Sequence, residues 1–173
     1  MSRAVLSVGS NLGDRLALLQ SAVDGLGRAV RAVSGVYETQ AWGGVEQGPF
    51  LNAVLIVDDP AADAHGWLRR AHELEQAAER VRTQRWGPRT LDVDVISCHD
   101  GTGGTEVLSD DEQLTLPHPR AHLRAFVLVP WLSVEPQARL TVGGRPRAVT
   151  ELLDELEPAE RAGVSLTDLG LRL

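Results

Sequence analysis

There is no lysine in this chain: all 17 basic residues are arginine. A P-loop needs Gly-x-x-x-x-Gly-Lys and a protein kinase needs a strand lysine, so both common designs for handling ATP are excluded. Schiff-base chemistry on lysine is excluded as well. Cysteine is almost missing. Cys98 alone can form neither an internal disulfide nor a multi-cysteine zinc site, and it reads as a small buried hydrophobe. No stretch approaches the roughly 18 apolar residues of a membrane span. The start, MSRAVLSVGS, is strand-like and has no signal-peptide cleavage pattern. No membrane partner is expected, and the cytoplasm is the expected location. A net charge of −7 excludes broad nucleic-acid binding, which needs a basic surface. With 173 residues, 43% of them hydrophobic, residues 1–173 are read as one domain with a full core, and as a monomer.

What positive charge there is lies close together. Arg80, Arg82, Arg85 and Arg89 run into Asp92 and Asp94 within the segment RVRTQRWGPRTLDVDV. The run Leu91 to Ile96 is short and β-branched, bounded by Gly87-Pro88 before it and Gly101 to Gly104 after it, so it reads as a strand. Residues two apart in a strand share a face, which sets the Asp92 and Asp94 Cα atoms roughly 6 to 7 Å apart on one side. Two carboxylates so placed can hold one Mg²⁺, or bracket two ions about 3.5 to 4 Å apart as in-line phosphoryl displacement requires. Magnesium commonly keeps one or two protein carboxylates and takes its other ligands from phosphate and water. An isolated Asp-x-Asp is ordinarily solvated charge. Here the arginines, which pair bidentately with phosphate, and Trp86, an aromatic ring for a nucleotide base, make a metal-phosphate site the expectation.

Along the chain, Ala4 to Val8 reads as a buried strand. The turn Gly9-Ser10-Asn11-Leu12-Gly13-Asp14 follows, as a strand-to-helix connection rather than a phosphate loop, and then a helix with Leu16, Leu19, Val23, Leu26 and Val30 on its apolar face. Ala32 to Thr39 and Asn52 to Asp58 read as strands around the glycine-rich loop Gln40 to Pro49, where Trp42 either anchors the loop or folds over a ligand. A second helix starts near Asp59-Pro60, with Asp59 as cap and with Trp67, Ala71, Leu74, Ala78 and Val81 as its seam. Glu75 falls at the border of that seam, and Arg80 to Arg85 form a junction loop. His99 to Glu106 is a surface turn and Leu114 to Pro119 is extended. Arg120 to Leu132 is a third helix, with core contacts at Phe126, Leu128, Val129 and Leu132. His118 and His122 are split by Pro119 and have no third ligand nearby, so zinc is not expected. A hairpin at Gly143-Gly144 and a helix over Thr150 to Leu156 close the chain. Strand, helix, strand, strand, helix, strand is the order of an α+β ferredoxin-like split βαβ fold: an antiparallel sheet with helices on one face, here with a C-terminal hairpin and helix extension.

Five segments in this order, VGSNLGDR, YETQAWGG, FLNAV, RVRTQRWGPRTLDVDV and LTLPHPRAHLRAF, resemble the 6-hydroxymethyl-7,8-dihydropterin pyrophosphokinases of folate biosynthesis. The resemblance implies transfer of the β,γ-diphosphate of ATP to the hydroxymethyl group of the pterin with release of AMP. ATP would be co-substrate, and two Mg²⁺ ions would sit in the site. By motif, Asp92 and Asp94 match the metal-binding aspartates and Arg80 and Arg89 the catalytic arginines, with Asp94 also a candidate proton acceptor. Arg82, Glu75, Trp86, Thr115, His118 and Arg124 fall on the ATP site, and Thr39, Trp42, Asn52 and Phe126 on the pterin pocket. The chain departs from the family at Glu79, often glycine, at Ala41, often proline, and at Asp100 to Gly104, which reads as an insertion. The alternatives are a non-catalytic ferredoxin-like ligand-binding module and another Mg²⁺-dependent transferase built on Asp-x-Asp. ATP turnover to AMP separates both from the main reading.

Overall fold

The computed structural model describes residues 1–40, 48–80, 91–101 and 104–173, with Arg80 by its backbone alone. Trp42, Val81, Arg82, Arg85, Trp86 and Arg89 lie outside the described residues.

The first strand, β1 (Ser2–Ser10), is buried along nearly its whole length. Asp14 then caps helix α1 (Arg15–Leu26), its carboxylate accepting from the Ala17 N–H at 3.1 Å. This is the expected strand-to-helix connection. A 3₁₀ turn over Gly27–Ala29 leads into β2 (Val30–Val33), so Val30 belongs to a strand and not to the helix expected there.

The single strand expected from Ala32 to Thr39 is two, β2 and β3 (Tyr37–Thr39), both paired with β4 (Phe50–Asp59). The break is at Ser34, whose hydroxyl leaves the strand pattern to accept the Val54 N–H at 2.8 Å and donate to the Gly35 carbonyl at 2.7 Å.

Helix α2 (Ala64–Arg80) starts later than expected. Asp59 remains in β4, opposite Ser2, and the cap is Asp63, which accepts the Gly66 N–H at 2.7 Å. Of the expected seam, Trp67, Ala71 and Ala78 are buried and Leu74 is half-buried, while Val81 lies outside the described residues. Trp67 Nε1 donates to the buried Ser2 hydroxyl at 2.8 Å, which fixes the helix to the start of β1.

Strand β5 (Asp92–Asp100) pairs with β1, and β6 (Thr105–Glu106) folds back on its end. A short hairpin of β7 (Ser109–Asp110) and β8 (Thr115–Leu116) follows. The third helix is not continuous from Arg120. A 3₁₀ turn over Ala121–Leu123 is cut from α3 (Ala125–Val134) by Arg124, whose φ of −116° and ψ of 103° are extended. Val127, Leu128 and Trp131 are its buried contacts, while Phe126, Val129 and Leu132 are partly exposed.

Strands β9 (Arg139–Val142) and β10 (Arg145–Ala148) form the expected hairpin, with Gly143 and Gly144 both at positive φ as a two-residue turn demands. Helix α4 (Val149–Asp154) follows; α5 (Pro158–Ala162) and β11 (Val164–Leu166) end the described elements.

The main sheet runs β11-β3-β4-β1-β5-β6 and is antiparallel at every pairing, with β2 on β4 beside β3. This is the split βαβ arrangement. Leu6, Val8, Leu55, Val57, Val93 and Val95 meet α1 and α2 on one face. Helices lie on both faces rather than on the one expected: on the opposite side Val5, Val54, Ile56 and Ile96 pack on Val127, Leu128 and Trp131 of α3, with Leu140, Val149 and Leu152 of the C-terminal hairpin and α4 behind them. No described helix is long and apolar enough to cross a membrane.

Candidate active site

The face covered by α3 changes character along its length. Beyond Val5, Val54 and Ile96 the inward positions become Ser7, Gly9, Asn52, Asp94 and Asp92, because alternate residues of each strand keep the same side. Pairing aligns them: Gly9 lies opposite both Asn52 and Asp92, and Ser7 opposite both Val54 and Asp94. The start of α3, through Phe126, borders this end. Here lies a cleft of about 770 Å³ that Asp92, Asp94, Asn52, Thr39, Arg124 and Phe126 help to line.

On the β5 side of Gly9 the cleft is charged. Arg124 Nη1 is 3.9 Å from Asp94 Oδ2, and Arg120 also lines the wall. Glu75 reaches from α2 to the edge of β5, where its Oε2 accepts the Val93 N–H at 3.1 Å, between the two aspartates. On the β4 side the lining includes an amide and a hydroxyl. Asn52 Nδ2 donates to Thr39 Oγ1 at 2.8 Å, both residues are buried, and Phe50 and Phe126 line the same cleft. The Arg124 guanidinium, 5.5 Å from the Phe126 ring centre, joins the two halves.

A bulge in β5 brings a further group close. The register slips between Val5 and Leu6, leaving Ile96 extra in β5, and the Ile96 carbonyl accepts the His118 N–H at 2.8 Å. Burial pushes the His118 imidazole below its ordinary value, the Asp94 charge opposes this, and the Arg124 and Arg120 charges add to it. His118 is therefore an electrostatic neighbour of Asp94 without lining the cleft.

Of the residues singled out from sequence, the structure brings Glu75, Asp92, Asp94, Arg124, Thr39, Asn52 and Phe126 to one cavity. Thr115 sits exposed on β8, opposite Asp110, and is not among its lining. Arg80 is placed by its backbone at the end of α2; Arg82, Trp86, Arg89 and Trp42 lie outside the described residues. Among the lining residues that sequence reading missed are Gly9, Phe50, Arg120 and Glu160. The first three fall inside the quoted segments and were open to discovery, but Glu160 lies far beyond any of them. Cys98 is buried as expected, and burial raises its thiol to about 11.

Same-face carboxylates beside arginines, next to a recess lined by Asn52, Thr39, Phe50 and Phe126, on a ferredoxin-like sheet, mark an α+β enzyme of phosphate transfer. Residues 5–136 match the family 7,8-dihydro-6-hydroxymethylpterin-pyrophosphokinase (HPPK), and the chain belongs to that family. It is 64% identical over 170 residues to the 2-amino-4-hydroxy-6-hydroxymethyldihydropteridine pyrophosphokinase of Mycobacterium tuberculosis, covering 96% of this chain and 90% of that one. The relative of the same description from Methylorubrum extorquens is 42% identical over 163 residues, with 92% and 96% covered. Among solved structures, wild-type HPPK-DHPS of Plasmodium falciparum, with pterin and p-hydroxybenzoate, superposes with a TM-score of 0.61 at 13% identity. That likeness is one of fold; it covers 89% of this chain and 43% of the longer protein.

Proposed function

We propose that this cleft is where the chain carries out the reaction of its family, transferring the β,γ-diphosphate of ATP to the hydroxymethyl group of 6-hydroxymethyl-7,8-dihydropterin. The products are the pterin diphosphate and AMP, and the step belongs to folate biosynthesis. The observation that carries the assignment is the row Asp92, Gly9, Asn52 across three adjacent strands, which sets a carboxylate pair and an amide recess side by side.

The donor set fits Mg²⁺. Asp92 and Asp94 supply hard oxygen ligands from one face, and among the described residues no cluster of three or more His, Cys, Asp or Glu side chains stands ready to bind an ion. A magnesium site completed by phosphate and water needs no more protein ligands than this pair. Two ions are proposed; Asp92 and Asp94 would hold them, and they would supply neutralisation of phosphate charge. The chain's residues do the rest. Arg124 and Arg120 line the charged wall, and their guanidinium groups suit phosphate oxygens. Arg80, Arg82 and Arg89 are proposed to join them, with Trp86, Thr115, His118 and Glu75 around the nucleotide. Asn52 and Thr39, locked to each other, present polar atoms to the pterin edge, while Phe126 and Trp42 meet its faces. The hydroxymethyl proton passes to a carboxylate, for which Asp94 is the candidate. Positioning and fixed charge supply most of the acceleration, since phosphoryl transfer asks little covalent help. The protein is proposed to act as a monomer in the cytoplasm, where its co-substrate ATP is made available.

The test is incubation with ATP, Mg²⁺ and the pterin alcohol, followed by separation of the adenine nucleotides. AMP should form in step with pterin diphosphate and only when pterin is present. ADP in its place would refute diphosphate transfer, and absence of turnover with intact pterin binding would favour a ligand-binding module.

A further inference from the structure

The matched region of the family ends at residue 136, yet a segment beyond it touches both walls of the cleft. Strand β11 pairs with β3 so that Val164 lies opposite Thr39, the partner of Asn52, and the Gln40 N–H donates to the Gly163 carbonyl at 3.4 Å. From α5, just before this strand, the Glu160 side chain lines the cleft and its Oε1 accepts the Ala125 N–H at 3.2 Å.

That bond falls at a sensitive place. Ala125 opens α3, and the first N–H groups of a helix have no partner inside it. Arg124, in the cap position, makes no side-chain cap bond, and Ala125 is fully buried, so water is a poor substitute. Glu160 supplies the acceptor from another element. Its negative charge also suits the positive end of the helix. The residues on either side of Ala125 are Arg124, which faces Asp94, and Phe126, which lines the cleft. Holding one N–H therefore sets the direction of both.

We propose that Glu160 is a positioning residue of the transfer reaction: through Ala125 it fixes the entry of α3 so that Arg124 and Phe126 address the charged and the flat-ring halves of the cleft together. The segment from α5 to β11 is thus part of the active site, acting on one wall by this side chain and on the other by strand pairing. The proposal rests on the reading of the cleft given above, which AMP formation by the unaltered protein tests separately.

Three variants decide it: Glu160→Ala, Glu160→Asp and Glu160→Gln, each characterised for kcat, the KM of pterin and of ATP, and thermal unfolding. Glutamine keeps an acceptor of the same reach, whereas aspartate keeps the charge but is one methylene short. The Ala and Asp variants should lose about tenfold or more in kcat/KM for pterin at temperatures well below unfolding, and the Gln variant should stay within about threefold of the parent. If the Ala variant does not fold, Asp against Gln carries the test. A Gln variant as impaired as the Ala variant, beside an Asp variant close to the parent, would mean that the charge acts without the bond to the Ala125 N–H, which overturns the positioning role. Variants that unfold at lower temperature with unchanged kinetics would reduce Glu160 to a structural cap. In a cycle with Phe126→Ala the two losses should be strongly non-additive, and additive losses would likewise overturn the proposal.

Discussion

Gly9 and Asn52 face each other across β1 and β4, and a Cβ at Gly9 would lie 2.8 Å from Asn52 Oδ1. The glycine is there for space, since its amide neighbour occupies the room a side chain would need. Asn52 is 3% exposed and tied to Thr39 at 2.8 Å, so it cannot swing aside without breaking that bond.

Gly9→Ala should therefore act on pterin and spare ATP. We expect pterin affinity to fall roughly tenfold, about 1.4 kcal/mol, with ATP affinity changed less than twofold. Calorimetric titration of each substrate checks this. Equal weakening of both would mean that the whole sheet end had moved, and unchanged pterin affinity would remove Asn52 from the pocket.

How this row of residues could be read from sequence differs from residue to residue. Asp92 and Asp94 were legible because a period of two is a strong local signal, and the order of β1, α1, β4, α2 and β5 follows from hydrophobic pattern. The Ile96 bulge was not legible: it depends on a register between strands far apart in sequence, and the Ile96 carbonyl accepts the N–H of His118, which feels the Asp94 charge. The α2 cap was misplaced because Asp59 and Asp63 are equally good capping residues, and what decides is the pairing of Asp59 with Ser2. Five-residue α5 and three-residue β11 are too short to show a period, so Glu160 had no signal at all.

Ser34 offers a test of stability apart from the site. Its buried hydroxyl accepts the Val54 N–H where β2 and β3 part. Ser34→Ala strands that N–H, which should cost about 1–3 kcal/mol. Urea unfolding should show the loss with an unchanged slope, and a shift in midpoint too small to measure would mean that another acceptor takes over.

Asp111 should give stability a definite pH dependence. Its carboxylate accepts the Leu114 N–H at 2.7 Å and the Gln113 N–H at 2.8 Å, and these bonds, with His65 Nε2 at 2.8 Å, hold it below its ordinary value of 3.8. A depressed folded value means that the ionised form stabilises the fold above the unfolded value of 3.8, and that this is lost as pH falls through the folded one. Asp111→Ala should lower Tm modestly at neutral pH, with the gap to the parent closing as pH drops below 3.8. Melts compared across that range check it, and a gap that widens in acid would contradict the sign.

The aspartate pair is the sharpest test of the chemistry. If Asp92 and Asp94 serve one metal-phosphate arrangement, they act as a unit. Asp92→Ala and Asp94→Ala should each lower turnover by about 10³-fold or more, and the double variant should be little worse than the weaker single one. The fold should persist, because neither side chain is fully buried and Asp94 pairs with Arg124 only at 3.9 Å. Binding of pterin without ATP should persist too, since Asn52 and Thr39 stand on the far side of Gly9 from β5. AMP formation and pterin binding, measured on the same preparations, give the two readouts. Near-normal turnover in either single variant would sink the metal assignment. Losses that multiply in the double variant would show that the two aspartates act independently and not on one metal-phosphate arrangement.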